Sequence, residues 1–131
     1  MHARFSYTFT IPQCAIDTNG HVNNVLYVQW MQDAATAHSD SVGDTVARQQ
    51  KEGSTWVAKS HTIEYLKPAF AGDELCIETW AESFRKTASV KLYHFIVNGV
   101  IIAKASTVWV YINRDSARPK AIPHEVVRLY M

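Results

Sequence analysis

Residues 25–39, reading VLYVQWMQDAATAHS, set the strongest constraint on what this chain can fold into. Taken as a helix, Gln29, Gln32, Asp33 and Thr36 make one narrow polar stripe. Val25, Leu26, Tyr27, Val28, Trp30, Met31, Ala34, Ala35 and Ala37 occupy most of the remaining surface. A helix on a protein's exterior is apolar over roughly a third of its circumference. This one is apolar over most of it, so the pattern predicts a central helix enclosed by other structure. Asn23 or Asn24, directly before it, is placed to cap its first turn.

The flanking segments supply the enclosure. Ala3, Phe5, Tyr7, Phe9 and Ile11 alternate with His2, Arg4, Ser6, Thr8 and Thr10, the signature of a half-buried strand that Pro12 ends. Residues 43–53 read as a short polar helix. Beyond it, residues 56–66, 74–84, 87–97 and 100–112 are rich in Val, Ile, Thr, Tyr, Phe and Trp without helical period. Asn98-Gly99 is the preferred two-residue hairpin turn, Pro68 and Gly72-Asp73 part the first two runs, and residues 83–86 part the next two. Four consecutive antiparallel strands are expected, then a looped tail with a short closing helix. The order implies an α+β domain spanning residues 1–131, with a five-stranded antiparallel sheet wrapped around a long central helix. Val90, Leu92, Tyr93, Phe95, Ile96 and Val97 put apolar groups on both faces of one strand, which predicts a dimer or larger assembly.

Composition removes whole classes of function. At 131 residues the chain is one domain long, and 47% hydrophobic with 19% charged residues excludes a disordered chain. Thirteen Lys+Arg against twelve Asp+Glu leave no basic excess for nucleic acid. Two cysteines, Cys14 and Cys76, make no disulfide framework and are expected as buried reduced thiols in the cytoplasm. No apolar signal core opens the chain and no run reaches the ~20 apolar residues of a membrane span. Four Trp, six Tyr and five Phe exceed what a small core needs, so some should line an interface or an apolar pocket. Phosphate-loop, dinucleotide-turn, zinc-helix and nucleophile-elbow motifs are all missing. His38, His61 and His94 are scattered, and neither metal nor organic cofactor is called for.

What remains is DTNGHVNNVLY, residues 17–27. It gathers a carboxylate, an imidazole and three carboxamides in a turn whose exit is a helix N-terminus. The unpaired main-chain N–H groups there can stabilise charge developing on a carbonyl oxygen. Asp17 can attack the carbon or deprotonate a water. These are the components of an acyl-transfer site. Tyr27 and Trp30 read as core residues as well as substrate contacts, and Asn23 and Asn24 as caps.

The D-x-N-x-H-V-N-N-V-x-Y run resembles the motif of hotdog-fold acyl thioesterases of the 4-hydroxybenzoyl-CoA thioesterase-like superfamily, and it is also similar to that of acyl-ACP thioesterases. A second stretch, Glu64-Tyr65-Leu66-Lys67-Pro68-Ala69 through Gly72-Asp73, is similar as well, and the likeness extends over roughly residues 3 to 112. It implies hydrolysis of an acyl-CoA or acyl-ACP to free acid and thiol, as in fatty acid metabolism. Asp17 is then the catalytic carboxylate, as nucleophile or base, and the Asn24 N–H polarises the thioester carbonyl. Asn19 and His21 would orient the carboxylate and a water. Pro68 stands where the acyl-ACP branch has a further Glu, which leaves Asp17 the more self-sufficient. The resemblance also implies a homodimer or homotetramer with sites at the dimer interface. Substrate contacts would come from Gly20, Asn23, Tyr27, Lys59, Ser60 and His61, and CoA phosphates would meet Arg85 and Lys86 (Arg114 and Arg118 as weaker candidates). A hotdog hydratase or dehydratase and a non-catalytic acyl-thioester binder are the rival readings.

Overall fold

The computed structural model describes residues 3–131; His2, assigned above to the polar face of the first strand, lies outside them. The elements run β1 (Phe5–Thr10), a single 3-10 turn (Gln13–Ala15), α1 (Val25–Val42), α2 (Val46–Glu52), β2 (Ser54–Tyr65), β3 (Glu74–Phe84), β4 (Ala88–Val97), β5 (Val100–Asn113) and α3 (His124–Leu129). All five strands join one antiparallel sheet in the order β1-β3-β4-β5-β2.

That order corrects the expectation that the last four strands pair in succession. The pairs β3–β4 and β4–β5 are hairpins, and Asn98 and Gly99 both take positive φ (51° and 75°), as the tight turn requires. But β2 lies at the far edge, paired with β5 instead of β3. Residues 66–73, with Pro68 and Gly72, span the end of the sheet instead of folding back. Leu66 and Lys67 donate to the Ile102 carbonyl of β5, while the Gly72 N–H reaches the Ile11 carbonyl and the Ile11 N–H the Asp73 carbonyl beyond β1.

The helix packs on the concave face through Tyr27, Trp30, Met31, Ala34, Ala35 and His38, a spacing that keeps one stripe against the sheet. Opposite it stand Leu75, Ile77, Tyr93, Phe95, Ala103 and Ala105, all buried. Enclosure is less complete than the sequence implied. A sheet covers one side of a helix, and within a single chain Val25 remains 73% exposed. The helix also runs past the expected end near Ser39, because the Ser39 and Ser41 hydroxyls fold back onto the Thr36 and His38 carbonyls. Gly43, at φ 94°, stops it in a left-handed turn.

Alternation in β1 is as expected for Phe5, Tyr7 and Phe9, whereas Ala3 precedes the strand and is exposed. Neither cysteine is buried. Cys14 sits exposed in the 3-10 turn, and Cys76 is half-buried on the outer face of β3, between the inward Leu75 and Ile77; both are free thiols. The outer face carries half-buried Val90, Leu92, Ile96, Val108 and Val110. No helix is long and apolar enough to cross a membrane among the described residues.

A second cluster closes the other end of the sheet, where Val126 and Tyr130 of the α3 region pack on Ala81, Phe84 and Trp56. Its hub is Asp44, 1% exposed. The carboxylate accepts Arg48 Nη2 (2.7 Å) and Nε (3.1 Å), Trp56 Nε1 (2.8 Å) and the Tyr130 hydroxyl (2.5 Å). Burial and the adjacent carboxylate hold the Tyr130 phenol well above its ordinary range. Removing one member of a buried, charge-assisted network leaves its partners unpaired. Asp44→Ala should therefore lower the urea unfolding free energy by about 3–5 kcal/mol; a change within about 0.5 kcal/mol, typical of a surface site, would exclude this role.

Candidate active site

The Asp17 loop is held at both ends by main-chain bonds. Ile16 and Val22 form an isolated antiparallel bridge, and the Asn23 N–H donates to the Ala15 carbonyl at 3.0 Å. Inside it, the Asp17 N–H meets the His21 carbonyl (3.0 Å) and the Gly20 N–H the Asp17 carbonyl (3.1 Å). Gly20 takes φ 83°, a conformation that a side chain disfavours. The Val22 N–H bonds the Ala69 carbonyl at 2.9 Å, so the stretch 64–73 is the strut on which the loop rests.

Asp17 is half-buried, and its Oδ1 accepts the Asn19 N–H at 2.9 Å. Asn19 thus orients the carboxylate through its backbone, not its carboxamide. His21 contributes its carbonyl, and its half-buried ring has no hydrogen-bond partner among the described residues. Pro68 is exposed in the strut.

At the helix start the two asparagines divide the work. The Asn23 side chain accepts the Val25 N–H (3.0 Å) and its carbonyl accepts the Leu26 N–H (3.0 Å). The Asn24 carbonyl accepts the Tyr27 N–H and the Tyr65 hydroxyl, both at 3.2 Å. Asn24 itself is already helical (φ −56°, ψ −30°) with no side-chain cap. Its N–H is left without an acceptor among the described residues, at the positive end of an 18-residue helix. Carboxylate and free amide thus flank one bridge.

Tyr27 is a core residue, 2% exposed, against Trp30, Tyr65 and Phe95, and burial pushes its phenol up to about 12. It packs edge-on against Tyr65, whose hydroxyl bonds the Asn24 carbonyl. Val25, Tyr65, Leu66 and Phe70 leave apolar surface exposed at this end.

The remaining candidates lie elsewhere. A bulge after Ala58 separates Lys59 from its neighbours' register. Lys59 and Arg85 line a common cavity of about 300 Å³ with Ser83, Ala88, Val90 and Val108. Ser60 is exposed opposite Val108, and His61 bonds Thr107 Oγ1 at 2.9 Å. Lys86 is exposed, outside that cavity, as are Arg114 and Arg118. No group of three or more potential metal ligands gathers among the described residues.

One further group belongs to no motif in the sequence. A cavity of about 210 Å³ lies between the C-terminal half of α1, α2 and the sheet, walled by Trp56, Phe84, Trp109 and Tyr130 among others. Lys91, 5% exposed, lines it from β4, and its Nζ meets His38 Nδ1. Burial pulls Lys91 down to about 7; burial and the Lys91 charge pull His38 down to about 4. The only signal was an inward position in the alternation Ser89, Lys91, Tyr93, Phe95.

A five-stranded antiparallel sheet packed on one long helix is the hotdog fold. The family model for the acyl-ACP thioesterase N-terminal domain matches residues 2–130, and the chain belongs to that family. It is 28% identical over 113 residues to a Bacillus subtilis (strain 168) protein named "Putative acyl-CoA thioesterase YneP", covering 82% of this chain and 81% of that one. Among solved structures it superposes on an acyl-ACP thioesterase from Bacteroides thetaiotaomicron (TM-score 0.89, 22% identity, 97% of this chain and 52% of that one). It also superposes on a DHNA-CoA thioesterase from Staphylococcus aureus (TM-score 0.87, 20% identity, 95% and 89%). The chain thus spans about half the length of the Bacteroides protein.

The buried histidine makes stability depend on pH. His38 has its pKa lowered on folding, so between about 6.5 and about 4 the unfolded chain binds a proton that the folded one refuses. The His38 contribution to stability is full above that window and falls as the pH drops through it. The melting temperature should decline from pH 7 to pH 4.5, and His38→Asn should decline less steeply; equal slopes would show that His38 is not the linked group.

Proposed function

We propose that this chain hydrolyses an acyl-CoA thioester to the free acid and CoA, with Asp17 as the reacting carboxylate and the Asn24 N–H as oxyanion donor. The observation that carries this reading is the bridge at Ile16–Val22, which pins the loop bearing the Asp17 carboxylate just ahead of the unengaged Asn24 amide at the helix start. In the nucleophilic route an Asp17 oxygen bonds the acyl carbon, the C–S bond breaks with the thiolate leaving, and water then cleaves the acyl–carboxylate anhydride. In the general-base route Asp17 takes a proton from water as that water adds, and the proton passes to the leaving thiolate. Both develop negative charge on the carbonyl oxygen, where a preorganised N–H stabilises it. In this reading His21 orients the water, and Gly20 and Asn23 contact the substrate.

An acyl-ACP is the second substrate reading, favoured by the family to which the chain belongs. Lys59 and Arg85, two cations on one cavity, are the candidates for phosphates of either carrier.

The working unit in this reading is a homodimer joined through β2. That strand is a twelve-residue free edge, and free edges invite pairing. Free cysteines fit a reducing, cytoplasmic setting.

Asp17→Asn should lower kcat by about 10²–10⁴-fold, measured as thiol release from acyl-CoA and from acyl-ACP, with an unchanged melting temperature. Wild-type-like release would remove the mechanism. Enoyl absorbance changes without thiol release would point to a hydratase, and tight binding without turnover to a carrier.

A further inference from the structure

Lys91 is the group that the catalytic reading leaves without work. It sits on the inner face of β4, opposite Ala81 of β3 and Thr107 of β5. Its ammonium meets His38 Nδ1 and lies 5.2 Å from the centre of the Tyr130 ring. No carboxylate lies within ion-pair distance among the described residues. Asp44, the acid whose field reaches it, is already occupied by Arg48, Trp56 and Tyr130. An ammonium has three donors; two of these find no acceptor among the described residues, in a place where unpaired donors are costly.

The donors border the 210 Å³ cavity, whose aromatic walls suit an apolar chain or ring. For scale, an apolar cavity of about 150 Å³ admits benzene. We propose that this cavity receives the distal part of the acyl group, and that Lys91 selects acyl groups ending in an oxygen acceptor, a carboxylate above all, over plain alkyl ends. An anionic end would give Lys91 the counter-charge that the protein withholds.

The inference rests on the thioesterase reading and on pairing through β2. Along one helix, Asn24 and the cavity residues Ala35 to Ser39 are separated by about 16–22 Å, too far for a short acyl group. Full-length antiparallel pairing of two β2 edges, centred between Lys59 and Ser60, changes this. It sets Tyr65, which bonds Asn24, across from Ser54 of the second copy, beside that copy's cavity wall at Trp56. The catalytic loop of one chain thus faces the acyl cavity of the other.

The test is hydrolysis of matched acyl-CoA pairs, from hexanoyl to hexadecanoyl, each as the plain and the ω-carboxy form. In wild type, kcat/KM should favour the ω-carboxy form by about ten- to a hundredfold at the best length. Lys91→Met should abolish or reverse that preference while raising turnover of plain chains; Lys91→Gln serves if the methionine variant does not fold. Equal rates for the two forms in wild type, or a preference that survives both variants, would overturn the proposal. If neither form is hydrolysed, the thioesterase reading fails, and calorimetry decides the cavity separately. Monomethyl dodecanedioate should bind wild type at least about tenfold more tightly than methyl dodecanoate and lose that margin in Lys91→Gln; equal binding would refute it.

Discussion

A helix that begins beneath a sheet must find acceptors for its first-turn amides. Here the Asn23 side chain and carbonyl take the next two, and the Asn24 amide stays open beside the Asp17 loop. The bridge at Ile16–Val22 and the strut at Ala69 fix where that loop can be. One set of main-chain bonds therefore both starts the central helix and fixes the Asp17 loop ahead of its first turn. In the proposed mechanism the amide stabilises charge without reorganising during reaction.

The parts of the fold carried by period and turn chemistry were legible. The alternation Phe5-Tyr7-Phe9, the Asn98-Gly99 turn and the helix from Val25 follow from local rules. The placement of β2 did not, because strand order depends on the tertiary course of residues 66–73, and a link containing Pro68 and Gly72 suits either a hairpin or a crossing. The helix ran long because the Ser39 and Ser41 hydroxyls satisfy helix carbonyls, where polar residues otherwise read as an end.

The site shows the same division. Asp17 and Asn24 were readable as a motif, but the division of capping labour between Asn23 and Asn24 depends on side-chain direction. Lys91 was hidden because β4 carries apolar groups on both faces, so its place in the alternation with Tyr93 and Phe95 is a weak sign of which face is the core. The two faces also explain why one chain covers only part of its apolar surface. Val25, Leu66 and Phe70 stay open around the loop, on the same end as the Tyr65 that contacts Asn24.

In the proposed mechanism a single backbone N–H, that of Asn24, carries the oxyanion. Asn24→Pro deletes that N–H together with an exposed carboxamide that caps nothing, and Asn24→Ala, which removes the carboxamide but keeps the N–H, is its control; the φ of −56° suits proline, and no acceptor among the described residues is lost with the hydrogen. Single-turnover hydrolysis by the proline variant should be slower than wild type by about 10²–10³-fold, with the melting temperature and acyl-CoA affinity held. Wild-type rates in a folded Asn24→Pro protein would contradict the account.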